Sequence, residues 1–195
     1  MSARPLERLV AAIAAALLPW VAMSARSQTA DVAAIQAREA RNADERTLAA
    51  LERFRRALVE RYGGDPRLAM LEFGESEAAA LVLASPGAAP VFVIWRGDRF
   101  VGTGQRKLVP WASPDVAAAN AFALSSVRGD ALRAWQRAWR STPSRAGDYV
   151  SGYAVGYDPD AGRAVVRARV GSLATGRLSV HAFDPATGAP VAAAR

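Results

Sequence analysis

One histidine, no cysteine and a few acidic pairs bound what this chain can do to a substrate. His181 stands in RLSVHAF, alternating with Ser179 and Phe183. If Leu178, Val180 and Ala182 face inward, His181 faces out as a surface residue. One His without Cys cannot build a zinc site of nitrogen and sulfur ligands. No G-x-S-x-G turn is present to raise a serine nucleophile. Thiolate nucleophiles and thiol redox work are excluded outright. Carboxylates do cluster, as Glu72 with Glu75 and Glu77, and as Asp158 with Asp160. Two carboxyl groups can run glycoside hydrolysis. All of these fall in turn-like stretches, where water reaches them, so solvated surface is the first reading and a small exported hydrolase the alternative. Gly102-x-Gly104 lacks both the third glycine and the strand-to-helix setting of a dinucleotide loop. No catalytic residue, metal or cofactor is expected.

Asp-Pro-x-x-Gly occurs twice, as Asp158–Gly162 after Tyr157 and as Asp184–Gly188 after Phe183. The Asp side chain can accept from N–H groups ahead of it, Pro presets φ, and Gly supplies a positive φ. Both copies separate strand-like runs, so both are expected to be hairpin turns. A calcium loop is the rival reading, because Asp158 and Asp160 alternate like oxygen ligands. That loop wants Gly sixth and Glu twelfth. Here Gly is fifth and Arg169 stands twelfth.

Charge placement says more. The formal net charge is +7, and every basic residue but Lys107 is arginine. From Ala25 to Asp98 ten basic residues meet eleven acidic ones; from Arg99 to Arg195 thirteen meet six. In GRAVVRARV, alternation sends Val166, Ala168 and Val170 inward and Arg163, Arg167 and Arg169 outward. If GSLATG returns the chain antiparallel, Arg177, Ser179 and His181 join that outer face. The result is an anion-binding sheet face. Its partners would be an anionic lipid or polysaccharide, or an acidic protein surface. Nucleic acid is disfavoured, since no aromatic residues interleave with these arginines. The competing reading is that the arginines keep an exposed face soluble. Tyr149, Tyr153 and Tyr157 share one face by the same alternation, either as packing or as an aromatic recognition stripe. Trp95 and Trp111 frame a basic, loop-rich stretch that could border a groove.

These residues need a scaffold, and the pattern gives an α+β one. Arg4 and Arg8 precede an uncharged apolar run from Leu9 to Ala22. A membrane span needs about 20 such residues, a secretory signal about 7–15. Residues 1–24 therefore read as a cleaved signal, with Ala22 and Ser24 as the small residues before the cut. An uncleaved anchor and a core helix are the other readings. The mature chain is then periplasmic or secreted, with no transmembrane segment, and without cysteine it is no lipoprotein. Residues 25–42 are a linker or a helical extension. A long helix follows, with Asn42 and Glu45 as its capping box. Its apolar stripe runs through Leu48, Leu51, Phe54, Leu58, Val59 and Tyr62, and Glu52 and Arg56 pair on its wet side. Strands are expected at Leu68–Phe73, Ala78–Ala84 and Pro90–Trp95, with Gly97-Asp98 as a hairpin turn. Ser113-Pro114 opens a helix to about Leu124. Another helix covers Asp130–Arg140, with Leu132, Trp135 and Trp139 on one face and Arg133, Arg137 and Arg140 on the other. Strands close the chain. Helices pack on one face of a mostly antiparallel sheet. The order suggests a tandem α-β-β-β(β) duplication, 43–105 and 106–195, or one continuous domain.

LSVHAFDPATGAPVAA, from Leu178 to Ala193, resembles the end of PepSY-type domains, small exported α+β modules. There a strand, an Asp-x-x-Thr-Gly turn and a last apolar strand follow a helix. Asp184, Thr187 and Gly188 match; Asp158 and Gly162 keep the frame, but Ala161 replaces Thr. YDPDAGR is similar to the turn of bacterial tyrosine–aspartate surface repeats. The tandem helix-plus-meander layout is similar to that of secreted β-lactamase-inhibitory proteins. These resemblances imply an exported, noncatalytic binding or inhibitor module. The alternatives are the hydrolase above and a structural accessory of a cell-envelope complex.

Overall fold

The computed structural model describes residues 4–85, 89–104, 114–145, 147–172 and 175–191, with backbone alone for 4–30 and 103–104. Helix α1 (Arg4–Tyr62) is followed by strands β1 (Arg67–Phe73), β2 (Glu77–Leu83), β3 (Val91–Arg96) and β4 (Arg99–Gly104). Helix α2 (Pro114–Ala119), the short β5 (Phe122–Ala123) and helix α3 (Gly129–Arg140) lead to β6 (Asp148–Asp158), β7 (Arg163–Ser172) and β8 (Leu178–Phe183). One sheet results, ordered β4-β3-β2-β1-β6-β7-β8, with β5 paired to the start of β1. Every pairing is antiparallel. The chain is thus α+β, with its helices on one sheet face. Among the described residues no helix is long and apolar enough to cross a membrane.

Alternation builds the core. Leu71 and Phe73 of β1, Ala78, Ala80 and Val82 of β2, and Val93 and Trp95 of β3 point to the helices. Val150, Tyr153 and Val155 of β6 and Val166, Ala168 and Val170 of β7 do the same. Leu48, Leu51, Phe54 and Leu58 of α1 meet them at helical spacing, and all four are fully buried. Leu132 and Trp135 extend this layer from α3, where Trp135 stacks on Phe183 at 4.6 Å.

Several expectations need correcting. Asn42 is no N-cap, because α1 runs unbroken through it. The stretch ahead of it is rich in Ala, Arg, Gln and Glu, all strong helix formers. Among the described side chains of α1 the first buried one is Ala40, and the buried stripe takes in Asp44 and Thr47, whereas Val59 is exposed. Glu52 lies 3.5 Å from Arg55, one residue short of Arg56. Helix α2 ends at Ala119, and the Phe122–Ala123 stretch instead pairs with Arg67–Leu68. Ser113 and Trp111 lie outside the described residues. Gly97 and Asp98 do form the tight turn, both with positive φ, and Arg96 and Asp98 are held by Glu77 and Arg53. Trp95 packs in the core at 5.6 Å from Phe54, so it borders no groove.

Candidate binding site at the β7–β8 end

Both Asp-Pro-x-x-Gly segments are turns, and each does a second job. Asp158 Oδ1 accepts from the N–H groups of Asp160 and Ala161 at 3.0 and 3.1 Å. Its other oxygen accepts from Arg167 at 2.5 Å. Asp184 Oδ1 accepts from Ala186 N–H and Thr187 N–H, both at 2.9 Å, and from the Thr187 hydroxyl at 3.0 Å. Its Oδ2 accepts from Arg163 at 2.5 Å. Each turn therefore offers one carboxylate oxygen to its own backbone and the other to an arginine of β7. Burial pushes the Asp184 carboxyl up, but the Thr187 and Ala186 donors and the Arg163 charge outweigh it and hold the group below its ordinary value.

Register decides which arginines share a face. Arg163, Arg167 and Arg169 do lie on one side of β7, away from the helices. Cross-strand pairing sets Ala168 opposite His181 and Val170 opposite Ser179. His181 and Ser179 therefore stand on the helix side, and Arg177 follows them by alternation. Arg169 is opposite Val180, and Gly171 is opposite Leu178. The outer face thus carries three arginines with exposed Leu178 and Val180, not four arginines with a histidine. The inward placement expected for Leu178 and Val180 is reversed. The parity of the turn residues 172–177 set this, and nothing in their types announces it.

The tyrosine row is split as well. A β-bulge at Ser151, between Val150 and Gly152, shifts the parity of β6. Tyr153 and Tyr157 point to the helix side, but Tyr149 crosses to the other, where its ring lies over Gly171. A Cβ on Gly171 would come within 2.5 Å of that ring, so any larger residue there would force the Tyr149 ring to move. Tyr153 is fully buried and its hydroxyl accepts from Gln136 Nε2 at 2.6 Å. Burial, reinforced by nearby Asp44, raises its hydroxyl pKa. Tyr153 is a core residue; Tyr157 alone of the row is an exposed aromatic on that side.

On the helix side of β8 an aromatic and cationic cluster takes shape. Trp139 stands 5.8 Å from Trp135 and 4.0 Å from the His181 ring. The Arg145 guanidinium lies 3.8 Å over Trp139, a cation–π distance. Trp139 Nε1 donates to Asp148 at 3.1 Å, which fixes the indole. Burial, then the charge of Arg145, lower the His181 pKa, while Asp148 pulls the other way. A cleft of about 1060 Å³ curves round the end of β8. Trp135, Trp139, Arg145 and His181 line it on the helix side of the sheet, and Arg163 and Arg167 on the opposite side. Arg145 was not legible as a site residue. It sits in STPSRAGD, which reads only as a helix stop.

The carboxylates do not converge. Glu75 pairs with Arg46 at 2.6 Å and Glu77 with Arg96, on the β1–β2 hairpin. Asp158 and Asp160 belong to the β6–β7 turn. No group of three His, Cys, Asp or Glu side chains suited to a metal ion occurs among the described residues. Compared with known proteins, the chain matches no family model, no curated protein and no solved structure.

Proposed function

We propose that this chain is an exported, noncatalytic α+β protein that recognises an anionic partner at the β7–β8 end of its sheet. One observation carries the reading: Arg145 and His181 on the helix side of the sheet and Arg163 and Arg167 on the other side all line the cleft round the end of β8, beside Trp135 and Trp139. Arg163 and Arg167 keep 56% and 39% of their side-chain surface exposed, so their aspartate partners leave donors free. A guanidinium carries five N–H donors, and one bond to a turn uses few of them. The Arg145 guanidinium packs against the Trp139 indole, which restrains it and leaves its N–H donors ordered at little entropic cost. Export is supported by the charge-flanked apolar run Leu9–Ala22 and by the PepSY-like closing turn. The arginine face outlined by alternation is redrawn here. Arg163, Arg167 and Arg169 keep that face, Arg145 reaches the cleft from the helix side, and Arg177 lies across the strand.

Retention on a heparin column, with elution by a salt gradient, tests the reading. The full chain should elute later than a variant with Arg145, Arg167 and Arg169 replaced by Ser. Each arginine facing a polyanion contributes to the slope of affinity against salt, because bound counterions are released. Identical elution of the two proteins refutes anion recognition at this end of the sheet.

A further inference from the structure

A second groove, of about 640 Å³, lies between α1 and α3. Arg41, Asp44 and Glu45 of α1 and Arg133, Arg137 and Arg140 of α3 line it. Both walls belong to stretches described without a break, 31–62 and 114–145. Contacts along the two helices set their register. Arg55 donates to Val127 C=O at 2.9 Å, and Glu52 lies against Gly129. Glu45 stands 3.7 Å from Arg133, Asp44 pairs with Arg140, and Gln36 lies against Gly147. Positions fall along α1 as they rise along α3, so the helices run antiparallel. Arg41, one turn before Glu45, is therefore set beside Arg137, one turn after Arg133. Charge is answered along the rest of the groove. Glu45 meets Arg133, and Asp44 meets Arg140. Asp130, which also lines the groove, is held by Arg128 and by Ala131 N–H at 2.9 Å. Arg41 and Arg137 are exposed and have no acidic partner among the described residues. Beyond the described side chains the sequence holds one acidic residue, Glu7, about 50 Å up the axis of α1 at 1.5 Å per residue. Two like charges thus face each other with no acidic side chain to offset them. Arg140 is only 14% exposed and already fixed, donating to Asp44 and twice to Asp148 C=O at 3.1 Å. A guanidinium has five N–H groups, so two of its donors remain.

We infer that the Arg41–Arg137 end of this groove binds a phosphate dianion. Two unanswered positive charges are matched by two negative ones. A phosphate monoester carries nearly that charge at neutral pH, whereas a single carboxylate or a phosphodiester carries one. Guanidinium forks meet phosphate oxygens in pairs, so Arg41 and Arg137 hold the group from α1 and α3. The spare donors of Arg140 add a third, ordered cation to the same groove. Binding removes the repulsion between Arg41 and Arg137 and ties the two helices together. The groove shares no lining residue with the cleft at the end of β8, because Arg133 and Arg137 leave α3 on the side opposite Trp135 and Trp139. It is a separate site and does not depend on the reading given for that cleft.

The probe is glycerol 3-phosphate, titrated into the nitrogen-15-labelled full chain and followed by the NMR shifts of backbone amides and arginine Nε–H groups. Saturable shifts at residues 41–45 and 133–141 are expected. Dimethyl phosphate, with the same centre but one charge, should bind about tenfold more weakly. Arg41→Ala and Arg137→Ala should each weaken glycerol 3-phosphate by about tenfold or more. Arg56→Ala removes the same charge from another exposed position of α1 and should leave binding unchanged. Replacing Arg145, Arg167 and Arg169 by Ser should also leave it unchanged, which keeps this site distinct from the β7–β8 end. Vesicles containing phosphatidic acid carry the same group on a lipid. Displacement of glycerol 3-phosphate by these vesicles at lower phosphate concentration assigns the dianion to a headgroup, and lack of displacement assigns it to a soluble ester. Absence of saturable shifts in the groove, or a loss in Arg56→Ala equal to that in Arg41→Ala and Arg137→Ala, overturns the site.

Discussion

At the level of single residues, the two Asp-Pro-x-x-Gly turns tie backbone to charge. Asp184 is the clearer case, buried at 8% exposure yet held ionised by three donors and Arg163. Its folded pKa lies below 3.8, so it contributes stability above that value and loses it as the pH falls through the folded value. Asp184→Asn should remove that acid-dependent part of the stability curve and cost about 1–2 kcal/mol near neutrality. Urea titrations at stepped pH read this directly; parallel curves for the two proteins would contradict it. The turn chemistry was legible from Asp, Pro and Gly alone. The arginine partners were not, because Arg163 and Arg167 meet the turns across strands, and local spacing carries no sign of it. Gly188 illustrates the same limit. Its positive φ follows from the turn, but a Cβ there would lie 2.5 Å from Ala131 C=O, a contact set by where α3 docks.

Among the elements, α3 shows how a helix that reads as amphipathic hides a polar core. Its outer row was expected to comprise Arg133, Arg137 and Arg140. Arg140 instead turns inward, pairing with Asp44 of α1 and donating to Asp148 C=O twice at 3.1 Å. Asp44 is 2% exposed, and its Oδ1 has no described partner. Burial raises its carboxyl above 3.8 against the opposing pull of Arg140 and of Val150 N–H. The ionised form thus costs stability as pH rises from 3.8 through the folded value. Removing one partner still leaves Arg140 stranded at 14% exposure. Asp44→Ala should therefore destabilise by about 3–5 kcal/mol, seen as a lower urea midpoint at pH 7. A loss under about 1 kcal/mol would mean that the pair is effectively solvated. The strands other than β5, and a helix over Asp130–Arg140, followed from periodicity and turn residues. The bulge at Ser151 and the parity of β8 did not, since a single inserted residue reverses every side chain beyond it while the sequence still alternates.

For the molecule as a whole, the division of α1 matters most. Among the described residues its buried side chains run from Ala40 to Leu58, whereas Val32 and Ile35 are both 53% exposed. The folded body therefore asks little of residues 31–35 of the helix. Replacing Val32 and Ile35 by Ser should change the unfolding free energy by less than about 0.5 kcal/mol, measured by urea denaturation at matched protein concentration. A larger loss would show that the early helix supports the body. The α+β class, with helices over an antiparallel sheet, was readable from the order of patterned segments. The sheet order was not, because the β1–β6 seam joins segments far apart in sequence.

That seam carries a consequence for synthesis. β1 lies between β2 and β6, pairing Met70 with Gly156 and Phe73 with Tyr153. The first four strands can form hairpins as soon as they leave the ribosome. The inner border of β1 must then wait, bare along Met70–Phe73, until β6 has emerged. Nascent chains stalled before that point display an unfilled strand slot, and chaperones or premature self-association would compete there for the place that β6 eventually takes.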